Sequence, residues 1–132
     1  MKKELKMIVD DYLKRINRHH KTEIIEVADK GLVYEKDLIF KKIKQDDNVF
    51  IFDKEGKTYS SIDFSKLIEK ELATSANLTF IIGGSDGLDN QLKKYQKISF
   101  STLTFPHQLF RIILLEQIYR SFKIINNQSY HK

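Results

Sequence analysis

Cysteine is absent from the 132-residue chain. That excludes disulfides and thiolate metal sites and fits a reducing compartment. No run approaches the length of a membrane span. The N-terminal stretch MKKELKMIVDDYLKRINRHH is charged throughout and lacks the apolar core of a secretory signal. A cytoplasmic protein with no membrane partner is expected. Several chemical signatures are missing as well. No Gly-Lys-Ser/Thr follows the glycines of IIGGSDG, so there is no P-loop, and their spacing is not a dinucleotide fingerprint. His19 and His20 are adjacent rather than four apart, a poor metal pair. No serine–histidine spacing suggests a nucleophilic triad. Asp10–Asp11 and Asp46–Asp47 read as solvated surface.

What is present is ordinary for a globular domain: 41% hydrophobic and 31% charged residues, with a formal net charge of +5. The length fits one domain covering 1–132. The basic excess suits a polyanionic partner without requiring one. Apolar spacing predicts a helix from Lys3 to Arg18. TEIIEV, ending at Val27, reads as a short strand, and Tyr34 to Ile43 as a short helix. VFIFD is a continuous apolar run of strand length, after which KEGK turns the chain at Gly56. A helix from Ser61 to Ala73 follows, capped by Ser60 or Ser61. LTFIIGG reads as a buried strand, Leu88 to Tyr95 as a helix and KISFS as the last strand. The final helix begins at Pro106 or His107, since proline suits a helix start, and runs to about Ile125. NNQSYHK reads as a polar tail. The order is a helix, then four strand–helix pairs. Continuous rather than alternating strands imply an α/β fold, a mostly parallel sheet with helices on both faces.

Ligands of such sheets bind outside the carboxyl ends of the strands. The loops there are DKEGK after Phe52, GGSDG after Ile82 and STLTFPH after Phe100. Gly83, Gly84 and Gly87 suit either a strand-to-helix turn or a close approach to a ligand. In the final helix, Leu114, Leu115, Ile118, Tyr119, Phe122 and Ile125 form one apolar face. Leu109, Ile112, Ile113 and Ile124 add another. A helix apolar nearly all round needs two partners, and a second subunit is the natural second one. Arg111 lies within the main apolar face. There it either reaches out to solvent or meets an anion. Glu116 and Arg120 stand four apart, the spacing of an ordinary surface ion pair.

FIIGGSDGL, SFSTLTFPHQLFRIILLEQIYRSFKI and the ending SYHK closely resemble the RlmH family of SPOUT-class RNA methyltransferases. The likeness is dense from about Val49 to Lys132, and YLKRI and TEIIEV continue it more weakly. It implies an α/β knot near the C-terminus, a homodimer, and S-adenosyl-L-methionine as cofactor. It also implies methylation of N3 of a pseudouridine in 23S ribosomal RNA, so the large ribosomal subunit or assembled ribosome becomes the partner. By position, the cofactor contacts are Phe52, Gly83, Phe100, Ser101, Thr102, Leu103, Thr104 and Phe105. Pro106 then fixes that loop, with His107 and Arg111 facing the cleft or interface. The RNA-facing set is Glu116, Arg120, Tyr130, His131 and Lys132. Arg120 and His131 are the catalytic candidates, with no general base assigned. Relative to the family pattern, the chain lacks an opening strand and glycine turn of the kind ITILAVGK, an N-terminally shortened form. The segment between IIEV and VFIFD is also shorter. A missing strand would expose a sheet edge. Two further readings stand beside a methyltransferase: a shortened homologue that binds ribosome or cofactor without methylating, and an unrelated nucleotide-binding α/β module.

Overall fold

The computed structural model describes residues 2–27, 30–74, 77–84 and 87–130. Helix α1 spans Lys3–Asn17, α2 Leu32–Lys42, α3 Ser61–Leu72 and α4 His107–Ile125. Strands β1, β2 and β3 span Asn48–Thr58, Leu78–Ile81 and Gln96–Ser99. The chain divides into two compact units, each assembled from separated stretches. One comprises Met1–Ile24, Tyr59–Lys70 and Phe105–Lys132, and the other Ile25–Thr58 and Glu71–Thr104.

The second unit holds the sheet, in the order β2-β1-β3. Both pairings are parallel, in keeping with the mostly parallel sheet expected from the sequence. Val49, Ile51 and Ile81 form the buried cluster of this unit, and Ile39 and Ile43 of α2 pack against it with Leu88 and Tyr95. Four strands were expected, and three form among the described residues. TEIIEV stays irregular up to its last described residue. Ile25 is 51% exposed there, so the segment lacks the apolar burial that would offset the entropy of ordering a strand.

The expected turn at KEGK is also corrected. β1 does not end at Asp53. Its register against β3 shifts between Phe52 and Lys57, and both residues pair with Ile98. The chain bulges outward and returns to the same strand. Glu55 N–H donates to Asp53 Oδ1 at 2.9 Å inside the bulge. Gly56 makes the return possible: a Cβ there would stand 2.6 Å from Ile98 N and 2.7 Å from the Lys97 carbonyl carbon. The expected helix at Leu88–Tyr95 is only a 3-10 turn, Asn90–Lys94, with Gln91 N–H donating to Asp89 Oδ1 at 2.9 Å. Asp47 is not merely solvated surface, because its carboxylate accepts from Lys44 N–H at 2.9 Å.

The first unit is helical. Its buried hydrophobic residues are Val9 and Ile16 of α1, Phe64 and Ile68 of α3, and Leu114, Leu115 and Phe122 of α4. Ser60 caps α3 by accepting from Asp63 N–H at 3.1 Å. Pro106 sits at the N-cap of α4, one residue before the first helical position. At the other end Asn127 takes φ of 54°. Asn127 N–H reaches Ile124 O at 3.1 Å and Gln128 N–H reaches Lys123 O at 2.8 Å. This double closure reverses the chain at the helix end. The tail therefore folds back instead of trailing away.

Candidate functional site

Three aromatic rings gather where the strands of the sheet end. Phe52 is the first residue beyond the β1–β2 pairing, and Phe100 follows β3 directly. The Phe52 and Phe100 rings meet edge to face with centroids 4.9 Å apart, and Phe52 lies 5.7 Å from Phe80. These rings are half-buried. They present an apolar wall at the place where parallel sheets bind ligands. Gly83 lies two residues past the end of β2. A Cβ on it would fall 2.8 Å from the Gly87 carbonyl oxygen. Gly87 itself has φ of +79°, and Gly84 bridges to Gly87. The chain's own turn thus demands glycine at position 83, independently of any ligand.

The loop after β3 is shaped by serine hydroxyls. Ser99 Oγ donates to Ser101 O at 2.8 Å and accepts from Ser101 N–H at 3.2 Å. Ser101 Oγ then accepts from Leu103 N–H at 3.0 Å. Among the described residues the Thr102 N–H and C=O make no hydrogen bond. Thr102, Leu103 and Thr104 are exposed, Leu103 at 68%. The loop is a hydrogen-bonded arch with polar backbone groups at its crest. An apolar wall beside such a backbone suits a flat heteroaromatic ring with donors and acceptors on its edge. Phe105 belongs to the other unit, where its ring stacks on Phe110 at 6.1 Å.

In the helical unit a second constellation forms around Glu116. Arg120 Nε donates to Glu116 Oε1 at 3.0 Å and Oε2 at 3.2 Å. Tyr130, brought back by the chain reversal, donates its hydroxyl to Glu116 Oε2 at 3.2 Å. The Arg120 guanidinium lies 4.9 Å from the Tyr130 ring centroid. Gln117 Nε2 donates to the same carboxylate at 3.1 Å, and Gln117 Oε1 accepts from Ser61 Oγ at 2.7 Å. The ion pair is only 24% and 19% exposed. It is thus more than the surface pair its spacing implied. Burial, then the adjacent Glu116 charge and its hydrogen bond, push the Tyr130 phenol up to about 12 against a weaker opposing pull from Arg120. Arg120 is pushed further up, chiefly by its bond to Glu116.

A raised phenol pKa means that the folded chain holds the Tyr130 proton more tightly than the unfolded chain. Its stabilising contribution is complete below the ordinary phenol pKa near 10 and is lost as pH rises through about 12. Spectrophotometric titration of the tyrosines is expected to show a phenolate forming near that pH. Tyr130→Phe removes it. A transition near that pH that survives in Tyr130→Phe would show that Tyr130 is not responsible.

The structure therefore brings Phe52, Gly83 and Phe100–Thr104 into one unit, and Glu116, Arg120 and Tyr130 into one bonded cluster. His131 and Lys132 lie outside the described residues. Arg111 is half-buried and engaged. His19 lies flat against Phe122, with ring centroids 5.4 Å apart and planes 2° from parallel. It serves as a packing group, and no cluster able to hold a metal occurs among the described residues. Two residues escaped the sequence reading. Phe80 has the β-run as its only signal, and Ser99 looks like any strand-end serine.

Among the described residues, a parallel three-stranded sheet with Gly83, Gly84 and Gly87 following β2, in a chain that also carries four α-helices, defines an α/β class before it defines a protein. The family model described as "Predicted SPOUT methyltransferase" matches residues 1–131, and the chain belongs to that family. Relatives named "Ribosomal RNA large subunit methyltransferase H" align along nearly the whole chain. The one from Mycoplasmopsis synoviae is 46% identical, covering 100% of this chain and 93% of its own length. The one from Clostridium botulinum is 43% identical and the one from Clostridium tetani 44%, each covering 98% of this chain and 92% of its own.

Proposed function

We propose that this chain methylates N3 of a pseudouridine in 23S ribosomal RNA with S-adenosyl-L-methionine, acting as a cytoplasmic homodimer. The similarity to methyltransferases of ribosomal RNA over nearly the full length of both partners carries the reading. Both units then form one domain, as a family match from end to end supports. A knotted C-terminal region comes with that family and belongs to the proposal. No helix among the described residues is long and apolar enough to cross a membrane. Dimerisation is supported by apolar surface left open in the helical unit: Ile62 is 40% exposed and Leu109 43%.

The cofactor, when bound, supplies an electrophilic methyl group. Phe52 and Phe100 would cover its adenine ring and keep water away. The arch from Ser101 to Thr104 would offer backbone groups to the ring edge, and the Gly83 turn would close one side. Glu116, Arg120 and Tyr130 would set the tail that carries His131 and Lys132 toward the RNA. The accepting imide nitrogen must lose its proton before transfer. Alignment and water exclusion supply most of what this chain can add.

The test has two arms. Calorimetry measures S-adenosyl-L-methionine binding, and labelled methyl transfer is followed on large subunits and on assembled ribosomes lacking the modification. Binding together with transfer to a pseudouridine N3 is expected. Cofactor or ribosome binding without transfer would replace this reading with that of a homologue that binds but does not methylate.

A further inference from the structure

Two stretches of the sequence carry no carboxylate at all. From Tyr12 to Lys21 stand Lys14, Arg15, Arg18 and Lys21, and from Gln117 to Tyr130 stand Arg120 and Lys123. Those six cations exceed the whole chain's net charge of +5. The fold packs the two stretches together within the helical unit. Tyr12 and His19 lie against Tyr119, with centroids 6.3 and 6.2 Å away, and Asn126 Nδ2 meets His19 Nδ1 at 3.4 Å. Tyr119 gathers charge from both helices: the Arg15 guanidinium stands 5.8 Å and the Lys123 ammonium 5.4 Å from its ring centroid. Two cations attracted to one ring are held close despite their repulsion. Glu116 pairs with Arg120 at 3.0 Å, and Asp11 of α1 pairs with Arg15 at 3.2 Å, where both members are about half exposed. Such a pair is weak and readily exchanged.

We infer that the face shared by the C-terminal halves of α1 and α4 binds the phosphate backbone of the RNA substrate, through Arg15, Arg18 and Lys123. This rests on the reading of the chain as a ribosomal RNA methyltransferase and adds residues that the family resemblance did not assign. A concentration of one sign of charge is a site for a polyanion, with affinity driven by release of counterions. A second copy of this chain is the less suitable occupant, because two such faces would repel each other. Contact to phosphates sets register and orientation and is indifferent to base sequence.

The test compares Arg18→Gln/Lys123→Gln with an equal change of charge elsewhere, Lys41→Gln/Lys66→Gln. Lys41, Lys66 and Lys123 lie on helices and Arg18 is the residue that closes α1; all but the half-buried Lys123 are exposed. Affinity for large ribosomal subunits is measured against salt, alongside steady-state methyl transfer and sedimentation. The first variant is expected to bind more weakly, with the log–log slope flattened by about two units, one per lost phosphate contact. Its KM for RNA rises while kcat and cofactor affinity stay level. The control keeps the parent's slope. Equal slopes for both variants would mean that only overall charge matters and would overturn the inference. So would a change in oligomeric state with an unchanged slope, which would make the face a self-association surface. A parent that binds subunits steeply and loses that steepness in the first variant, yet transfers no methyl group, supports the surface and removes the methyltransferase reading.

Discussion

Gly56→Ala is expected to lower the free energy of unfolding by about 3 kcal/mol or more, the cost of forcing atoms into a filled space. The added methyl carbon would meet backbone on three counts: Ile98 N at 2.6 Å, the Lys97 carbonyl carbon at 2.7 Å and the Ile98 carbonyl carbon at 2.8 Å. Backbone cannot rotate away as a flexible side chain would. Nor can β3 retreat cheaply, because Ile98 is fully buried and withdrawing it would open a cavity. Gly84→Ala is the matched control. Its nearest obstacle is a side-chain oxygen, Glu35 Oε1, at 3.6 Å, an ordinary contact. Urea midpoints for the two variants and the parent decide the matter. A Gly56→Ala midpoint no lower than that of Gly84→Ala would show that the bulge relaxes without loss.

Glu116→Ala carries the second large effect, on catalysis. The carboxylate accepts from Arg120, Gln117 and Tyr130 at once. Removing it leaves a guanidinium and a phenol without their shared partner, at a cost near the lower end of about 1–3 kcal/mol, since the group is still partly wet. The tail would then lose its anchor on α4. Misplacement of about 1 Å can cost roughly 10²-fold in rate, and kcat/KM for RNA is expected to fall by about that factor. Cofactor affinity is expected to stay unchanged, since the proposed function gives these residues to the RNA. Glu116→Gln keeps an acceptor and is expected to fall between Glu116→Ala and the parent. If folded Glu116→Ala turns over like the parent, the cluster is only structural glue.

The elements that could be read from the sequence were those whose signals are local. α1, α3 and α4 announce themselves by apolar spacing, and Pro106 marks the start of α4 to within one residue. β2 and the first half of β1 lie in largely apolar runs, whereas β3 is QKIS, with Ile98 its one apolar residue. The failures were non-local. Gly56 looks like a turn residue, and only the approach of β3 explains it as a bulge. TEIIEV has strand composition but no burial to reward it. Glu116 and Arg120 were visible as a helical pair, but Tyr130 joins them fourteen residues after Glu116 in sequence. The Asn126–Asn127 helix ending was the available clue, because asparagine tolerates the left-handed conformation that reverses a chain. The cofactor loops came from family resemblance. Composition and periodicity alone marked only three loops at strand ends, without saying what they hold.

The serine arch after β3 has a thermodynamic consequence. Ser99 and Ser101 fix the path of the chain to Leu103 by hydroxyl bonds that exist before any ligand arrives. A floppy loop would lose about 1–2 kcal/mol of backbone entropy for each residue ordered on association. Here that loss is already incurred in folding. Capture of the proposed cofactor at the crest would then be governed by encounter and contact rather than by loop closure.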